Sequence, residues 1–397
     1  METIQPSVPT QPGTPAPDAG GATKAMRSAY NRAGLGIFAV YNVLQLVGSL
    51  LFGGAVGVLV VTKLLSQLMD ADLDVTNLPQ MISRIMQMLS EPEAHFILIL
   101  FYTLGSVVGM LVGLLVLRAI LGKSAPVEKR SLGAGKFLMV VLMSFGLWGV
   151  GALFGNLPSF FNVNESLGTE FLQQGAGAWL MYLYVCIGAP FFEELVCRKL
   201  LLDKLHPFGE GFAAIASGLL FGLIHGNSAQ FFLAFLLGTL FAMVYLRTGK
   251  VIYTMLLHAI INTTASLPDL FQLGGIDIVL GWDIAVGCLV VAGLITLIVM
   301  RKDAILHPIK STVENANRSA WRNVGMILYR IFELVTLVST DLILIYGSFS
   351  SGQGPASLLR LIPTAAAIVL VLLLPRLTRR FEGKPAEPSD EGAALAS

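Results

Sequence analysis

Charge is scarce in this sequence. Only 13% of the 397 residues are Asp, Glu, Lys or Arg, and 55% are hydrophobic, whereas a soluble domain carries about 25% charged residues. That deficit excludes an ordinary water-soluble globule. With a mean hydropathy of +0.74 and many long apolar runs, it predicts an all-α protein, a polytopic transmembrane helical bundle. The net charge is +1, so no basic field points to a nucleic-acid partner. Cysteine is nearly missing. Cys186, Cys197 and Cys288 lie in apolar runs, which leaves no disulfide framework and no CxxC metal pair. The glycine fingerprints of phosphate and dinucleotide sites are absent, and so is the zinc signature HExxH, so no nucleotide cofactor is indicated. Histidine occurs five times, and two of the five, His225 and His258, stand inside apolar segments.

The apolar runs number about ten. They cover roughly 34–61, 96–117, 137–154, 176–201, 211–226, 229–246, 251–267, 284–300, 324–346 and 356–374. Lys and Arg cluster before the first run and after runs two, four, six, eight and ten. The alternate loops are poor in them, which predicts both termini on the cytoplasmic side. Residues 1–23 and 381–397 read as disordered tails. The start lacks the layout of a cleaved signal, so the first run is expected to be retained. Between the tails lie an N-terminal membrane region (24–175), a core (176–267) and a C-terminal membrane region (268–380). Within the first region, 63–93 is mixed and partly periodic, and an amphipathic surface helix is expected there. Two doubled GxxxG patterns, Gly105-Gly109-Gly113 and Gly218-Gly222-Gly226, predict close helix packing.

The core holds three polar sets. Glu193, Glu194 and Arg198 follow a run without charge, and Glu194 and Arg198 at i and i+4 can pair. His225 comes four residues after Phe221. His258 and Asn262 share a helix face. In lipid such groups turn inward and find one another. At 1.5 Å per residue Glu193 and His258 lie about 10–15 Å inside, and His225 deeper, at about 16–22 Å. The residue types suit peptide hydrolysis. Glu193 or His225 can take a proton from water, His258 and Asn262 can donate to an oxyanion, and Arg198 can hold Glu194 ionised. The same atoms admit a second mechanism, in which Glu193, His225 and His258 bind zinc. A buried histidine bonded to a carbonyl, or interhelical bonding by His258 and Asn262, are the plainer readings of single motifs. Further on, Arg330 and Glu333 at i and i+3 are expected to neutralise one another, with Asp341 as a helix-end acid.

Taken together and in order, EExxxR, FxxxH and HxxxN over roughly 176–266 resemble the CPBP family, the CAAX-protease and bacteriocin-processing membrane peptidases. The resemblance implies an intramembrane glutamic endopeptidase with its core in runs four to seven. Glu193 with His225 would activate water, and His258 with Asn262 would form the oxyanion hole. Glu194 and Arg198 would orient the site. It implies a peptide or membrane-associated protein substrate, the lipid bilayer as surroundings, and a bacterial plasma membrane as location. It implies no cofactor, with zinc belonging to an older metalloprotease view. Two readings from other classes use the same residues. One is a proton-coupled transporter, although no repeat between the two halves of the sequence is evident. The other is a non-catalytic immunity or scaffold protein.

Overall fold

A computed structural model describes residues 19–69, 78–89, 91–155, 175, 177–350 and 354–383. The N-terminal half contributes α1 (Ala19–Met69), α2 (Leu78–Leu89), α3 (Pro92–Leu121) and α4 (Ala134–Gly155). The core contributes α5 (Ala178–Phe208), α6 (Glu210–Leu223), α7 (Ser228–Thr248) and α8 (Val251–Leu273). Then follow α9 (Val279–Val299), α10 (Ala316–Trp321), α11 (Val324–Ser350) and α12 (Leu361–Leu377). No strand forms among the described residues. Ser311 and Glu382 make one isolated bridge.

Among the described residues, eight helices are long and apolar enough to cross a membrane: α1, α3, α4, α5, α7, α8, α9 and the segment Ser357–Phe381 containing α12. The chain is an integral, multi-pass membrane protein. The two other expected spans differ for separate physical reasons. Helix α6 has 14 residues and so reaches about 21 Å, short of a hydrocarbon core of about 30 Å. Every residue from Gly211 to Leu223 is buried, so protein surrounds α6 rather than lipid. Helix α11 is long enough at 27 residues but carries Arg330, Glu333 and Asp341. Helix α1 begins at Ala19, within the stretch expected to be a tail. Residues 1–18 and 384–397 lie outside the described residues. Of the expected amphipathic segment, 70–77 and Ser90 also lie outside them, and α2 forms on the periodic part.

Small residues set the distances between helices. On α3, a Cβ added at Gly105 would lie 3.2 Å from Gly48 Cα. At Gly109 it would lie 3.1 Å from Leu44 Cα, and at Gly113 3.1 Å from Val40 Cγ1. The doubled GxxxG thus seats the 40-44-48 ridge of α1. On α6, a Cβ at Gly218 would come 2.2 Å from Thr239 Oγ1 and one at Gly222 3.0 Å from Phe231 O, which locks α6 to α7. Gly226 does not continue that face. It sits in the turn after α6 with φ +64, a conformation glycine adopts without strain.

A buried acid, Asp203, and a half-buried one, Glu210, fasten the basic end of the core. Asp203 Oδ1 accepts from Val127 N and from Tyr245 Oη at 2.7 Å, and its Oδ2 meets Lys199 Nζ at 2.6 Å. Arg247 Nη1 reaches both oxygens of Glu210, at 2.8 and 2.6 Å, and Glu210 Oε2 also accepts from Ile309 N. The ends of α5, α6 and α7 are therefore tied to the loops at both sides of the core. The expected Arg330–Glu333 pair does not form. Arg330 Nε donates to Met326 O at 3.0 Å and Nη2 to Trp321 O at 2.8 Å. The carbonyls of the preceding helix and turn lie on the side to which the arginine points.

Candidate active site

The site is shaped by a distorted helix. Helix α5 passes through two π-helical stretches, Tyr184–Gly188 and Leu195–Leu200, on either side of Ala189–Glu194. Pro190 explains the first. A proline inside an α-helix has no N–H and clashes with the carbonyl four residues back, and widening to an i→i+5 register relieves the clash. Ala189 N duly bonds Tyr184 O, five residues back. In the same register Val185 O would receive the N–H of residue 190, which proline lacks. Asn262 of α8 fills the gap, with Nδ2 donating to Val185 O at 2.9 Å. The second stretch is served likewise. Ser217 Oγ of α6 donates to Cys197 O at 2.8 Å. Each carbonyl is satisfied by a neighbouring helix, as buried backbone groups must be.

Between the two stretches the paired glutamates diverge. Glu194 is fully buried, and its Oε2 lies 3.0 Å from Arg198 Nε. Its Oε1 accepts from His258 Nδ1 at 3.1 Å. Arg198 is also fully buried. Its Nη1 and Nη2 have no hydrogen-bond partner among the described residues, and the guanidinium instead lies 4.8 Å over the Phe221 ring and 5.8 Å from that of Phe241. Aromatic faces stabilise such a cation where water is excluded. Glu193 is 24% exposed and stands 3.8 Å from His258 Nε2, outside hydrogen-bond distance. His258 thus sits between the two acids, bonded to one and facing the other.

His225 is not on a helix. It occupies the turn between α6 and α7, and its Nδ1 bonds Phe221 O at 2.8 Å. A carbonyl can only accept, so Nδ1 carries a proton, and in the neutral ring Nε2 keeps its lone pair. Asn227 secures the turn. Its Nδ2 donates to His225 O, and its Oδ1 caps α7 by accepting from Gln230 N. Phe221 is the shared surface of the set. The rings of His225 and His258 meet it edge-on at 5.1 and 5.6 Å, and Arg198 covers its face. The structure therefore brings Arg198, His225 and His258 around one phenylalanine, with Glu194 and Glu193 facing the two nitrogens of His258, while the amide of Asn262 is bound to the backbone of α5. Glu193, His225 and His258, the residues weighed for zinc, do not converge as a ligand set. Among the described residues, no group of three or more His, Cys, Asp or Glu could hold a metal ion.

Residues 175–264 match the family model described as type II CAAX prenyl endopeptidase, Rce1-like. This stretch is similar to a CPBP-type membrane-protease module. A protein of Bacillus subtilis (strain 168), "Putative membrane peptidase YdiL", is 28% identical over 92 residues. Those residues are 23% of this chain and 38% of that protein, so the chain matches well under half of its relative's length. No solved structure matches the chain. The module coincides with α5 to α8 up to Thr264 and contains all six residues singled out in the sequence. Sequence reading missed Phe241, which faces the Arg198 guanidinium, Ser217, which bonds α5, and Asp203, which ties α5 to α7. Pro190 was the available signal, since a proline in a helix frees a carbonyl that another helix must cap.

Proposed function

We propose that the chain is an intramembrane endopeptidase that cleaves a peptide bond of a membrane-associated peptide or protein by attack of water activated at Glu193. The observation that carries this reading is the division of labour between adjacent carboxylates. Glu194 is engaged by Arg198 and His258, whereas Glu193 is partly open and, among the described residues, stands 3.8 Å from His258, beyond hydrogen-bond distance. A general base must be free to take a proton.

In the proposed reaction, water lies between Glu193 and the unprotonated Nε2 of His225. Glu193 removes one proton as the water oxygen attacks the carbonyl carbon. The oxyanion is stabilised by His258, held between its two glutamates, and by the second N–H of the Asn262 amide. The C–N bond then breaks, and the proton on Glu193 passes to the leaving amine, restoring the base. Glu194 and Arg198 do not touch the reacting atoms and act by fixing His258.

The test compares peptide termini in membranes from cells carrying wild-type protein or Glu193→Ala, matched for expression. New termini confined to the wild type are expected, and they name the substrates. Identical termini, with a cellular phenotype still present, would overturn the proposal in favour of binding or proton flux.

A further inference from the structure

Between the end of α3 and the second π stretch of α5 lies a cleft of about 790 Å³, within the size range of ligand pockets. Its walls are apolar: Leu114 and Leu115 from α3, Leu195 and Leu200 from α5. Leu115 is 71% exposed, so the cleft opens sideways where lipid chains lie. Its mouth is basic. Arg118, Lys123 and Lys199 line it, and a Cβ on Gly122 would come 3.3 Å from Arg32 Nη1.

The charges do not cancel. Asp203 is the acid of the cleft, and it is already satisfied by Lys199, Tyr245 and the Val127 N–H. Lys204 donates to the backbone carbonyl of Lys123, which ties the loop after α3 to the end of α5. Among the described residues, no carboxylate stands within ion-pair distance of Arg118, Lys123 or Arg32. Unpaired cations at the ends of membrane helices, above an apolar slot open to the bilayer, complement one kind of molecule: an anionic head joined to acyl chains.

We propose that this cleft is a binding site for an anionic phospholipid. The phosphate sits between Arg118 and Lys123, and an acyl chain runs along Leu115 towards Leu195. Leu195 is the residue after Glu194, so the lipid braces the π stretch that carries Arg198. The site is independent of what the module cleaves.

The full-length protein is purified in detergent and offered phosphatidylglycerol or phosphatidylcholine in mixed micelles, and retained lipid is counted by native mass spectrometry. Wild type is expected to retain phosphatidylglycerol over phosphatidylcholine. Each basic side chain at an anionic lipid contributes about fivefold, so Arg118→Gln with Lys123→Gln is expected to retain about 25-fold less. Both side chains are exposed, so the unfolding temperature in phosphatidylcholine should not move. The control Lys129→Gln with Arg130→Gln removes the same charge outside the cleft and should keep the lipid. Equal loss in both double variants would reduce the effect to surface charge and overturn the proposal, as would equal retention of the two lipids. Displacement by glycerol phosphate, or by a short peptide with a free C-terminal carboxylate, would assign the cleft to a soluble phosphate or a peptide end and equally overturn it.

Discussion

Glu194 on α5 and Glu333 on α11 are both completely buried, and their surroundings are opposite. Glu194 has an arginine at 3.0 Å and a histidine at 3.1 Å. Neither oxygen of Glu333 has a hydrogen-bond partner among the described residues. Its neighbours one helical turn either way pack onto α6 and the turn after it: Tyr329 Oη donates to Leu220 O at 2.8 Å, and a Cβ on Gly226 would lie 3.2 Å from Thr336 Cγ2. Both acids thus adjoin the helix and turn that present His225, but only one belongs to a charge-balanced network. A buried ion pair is a poor source of net stability, yet breaking it by removing one partner is costly. A lone buried carboxylate has no such partner to abandon. The comparison therefore separates a glutamate kept in place by its partners from one that the fold merely tolerates.

The largest effect is expected for Arg198→Met, which leaves Glu194 buried without its counter-charge. A loss of about 3–5 kcal/mol is predicted, read as a fall in unfolding temperature in detergent. Adding Glu194→Gln should recover much of that loss, and failure to recover would mean that the arginine acts mainly through Phe221 and Phe241. Asn262→Ala comes next. It strips the donor from Val185 O and should cost about 1–3 kcal/mol. Combining it with Pro190→Ala, which returns an N–H to α5, should cost less than the single change. Glu333→Gln is expected to leave stability unchanged or slightly raised. A loss approaching that of Arg198→Met would break the comparison by revealing a partner for Glu333.

The smallest effect lies outside the membrane helices. The N–H of Ile305 bonds Asp303 Oδ1 and, with Lys136 at 2.9 Å, holds its carboxyl below the usual carboxylate range despite some burial. A depressed acid stabilises the fold above its unfolded pKa, and the contribution is lost as pH falls through its folded value. Asp303→Asn should therefore lower stability by under about 1 kcal/mol at neutral pH, and the difference from wild type should vanish in acid.

Much of this was legible because membrane burial leaves few reasons for a polar residue. Glu194 and Arg198 at i and i+4 paired as their spacing required, and the three motifs met because lipid offers them no other partner. The Gly105-Gly109-Gly113 face was equally plain. The misreadings arose where local periodicity gave way to tertiary demand. Arg330 and Glu333 have pairing spacing, but the carbonyls of Trp321 and Met326 took the arginine. Gly226 continued a pattern by number while serving a turn. His225 looked helical, although its helix ends at Leu223. The π register of α5 could not be counted from spacing, and it is what ties Asn262 to the backbone.

The most direct test of the central claim uses purified wild type and Glu193→Gln with a substrate named by the terminus profiles. Cleavage rate and unfolding temperature are measured on the same preparations. The account predicts a fall in cleavage of about 10²–10⁴-fold with the unfolding temperature unchanged, because Glu193 is the free member of the pair. Cleavage that survives the substitution, or that falls only in step with stability, would contradict it.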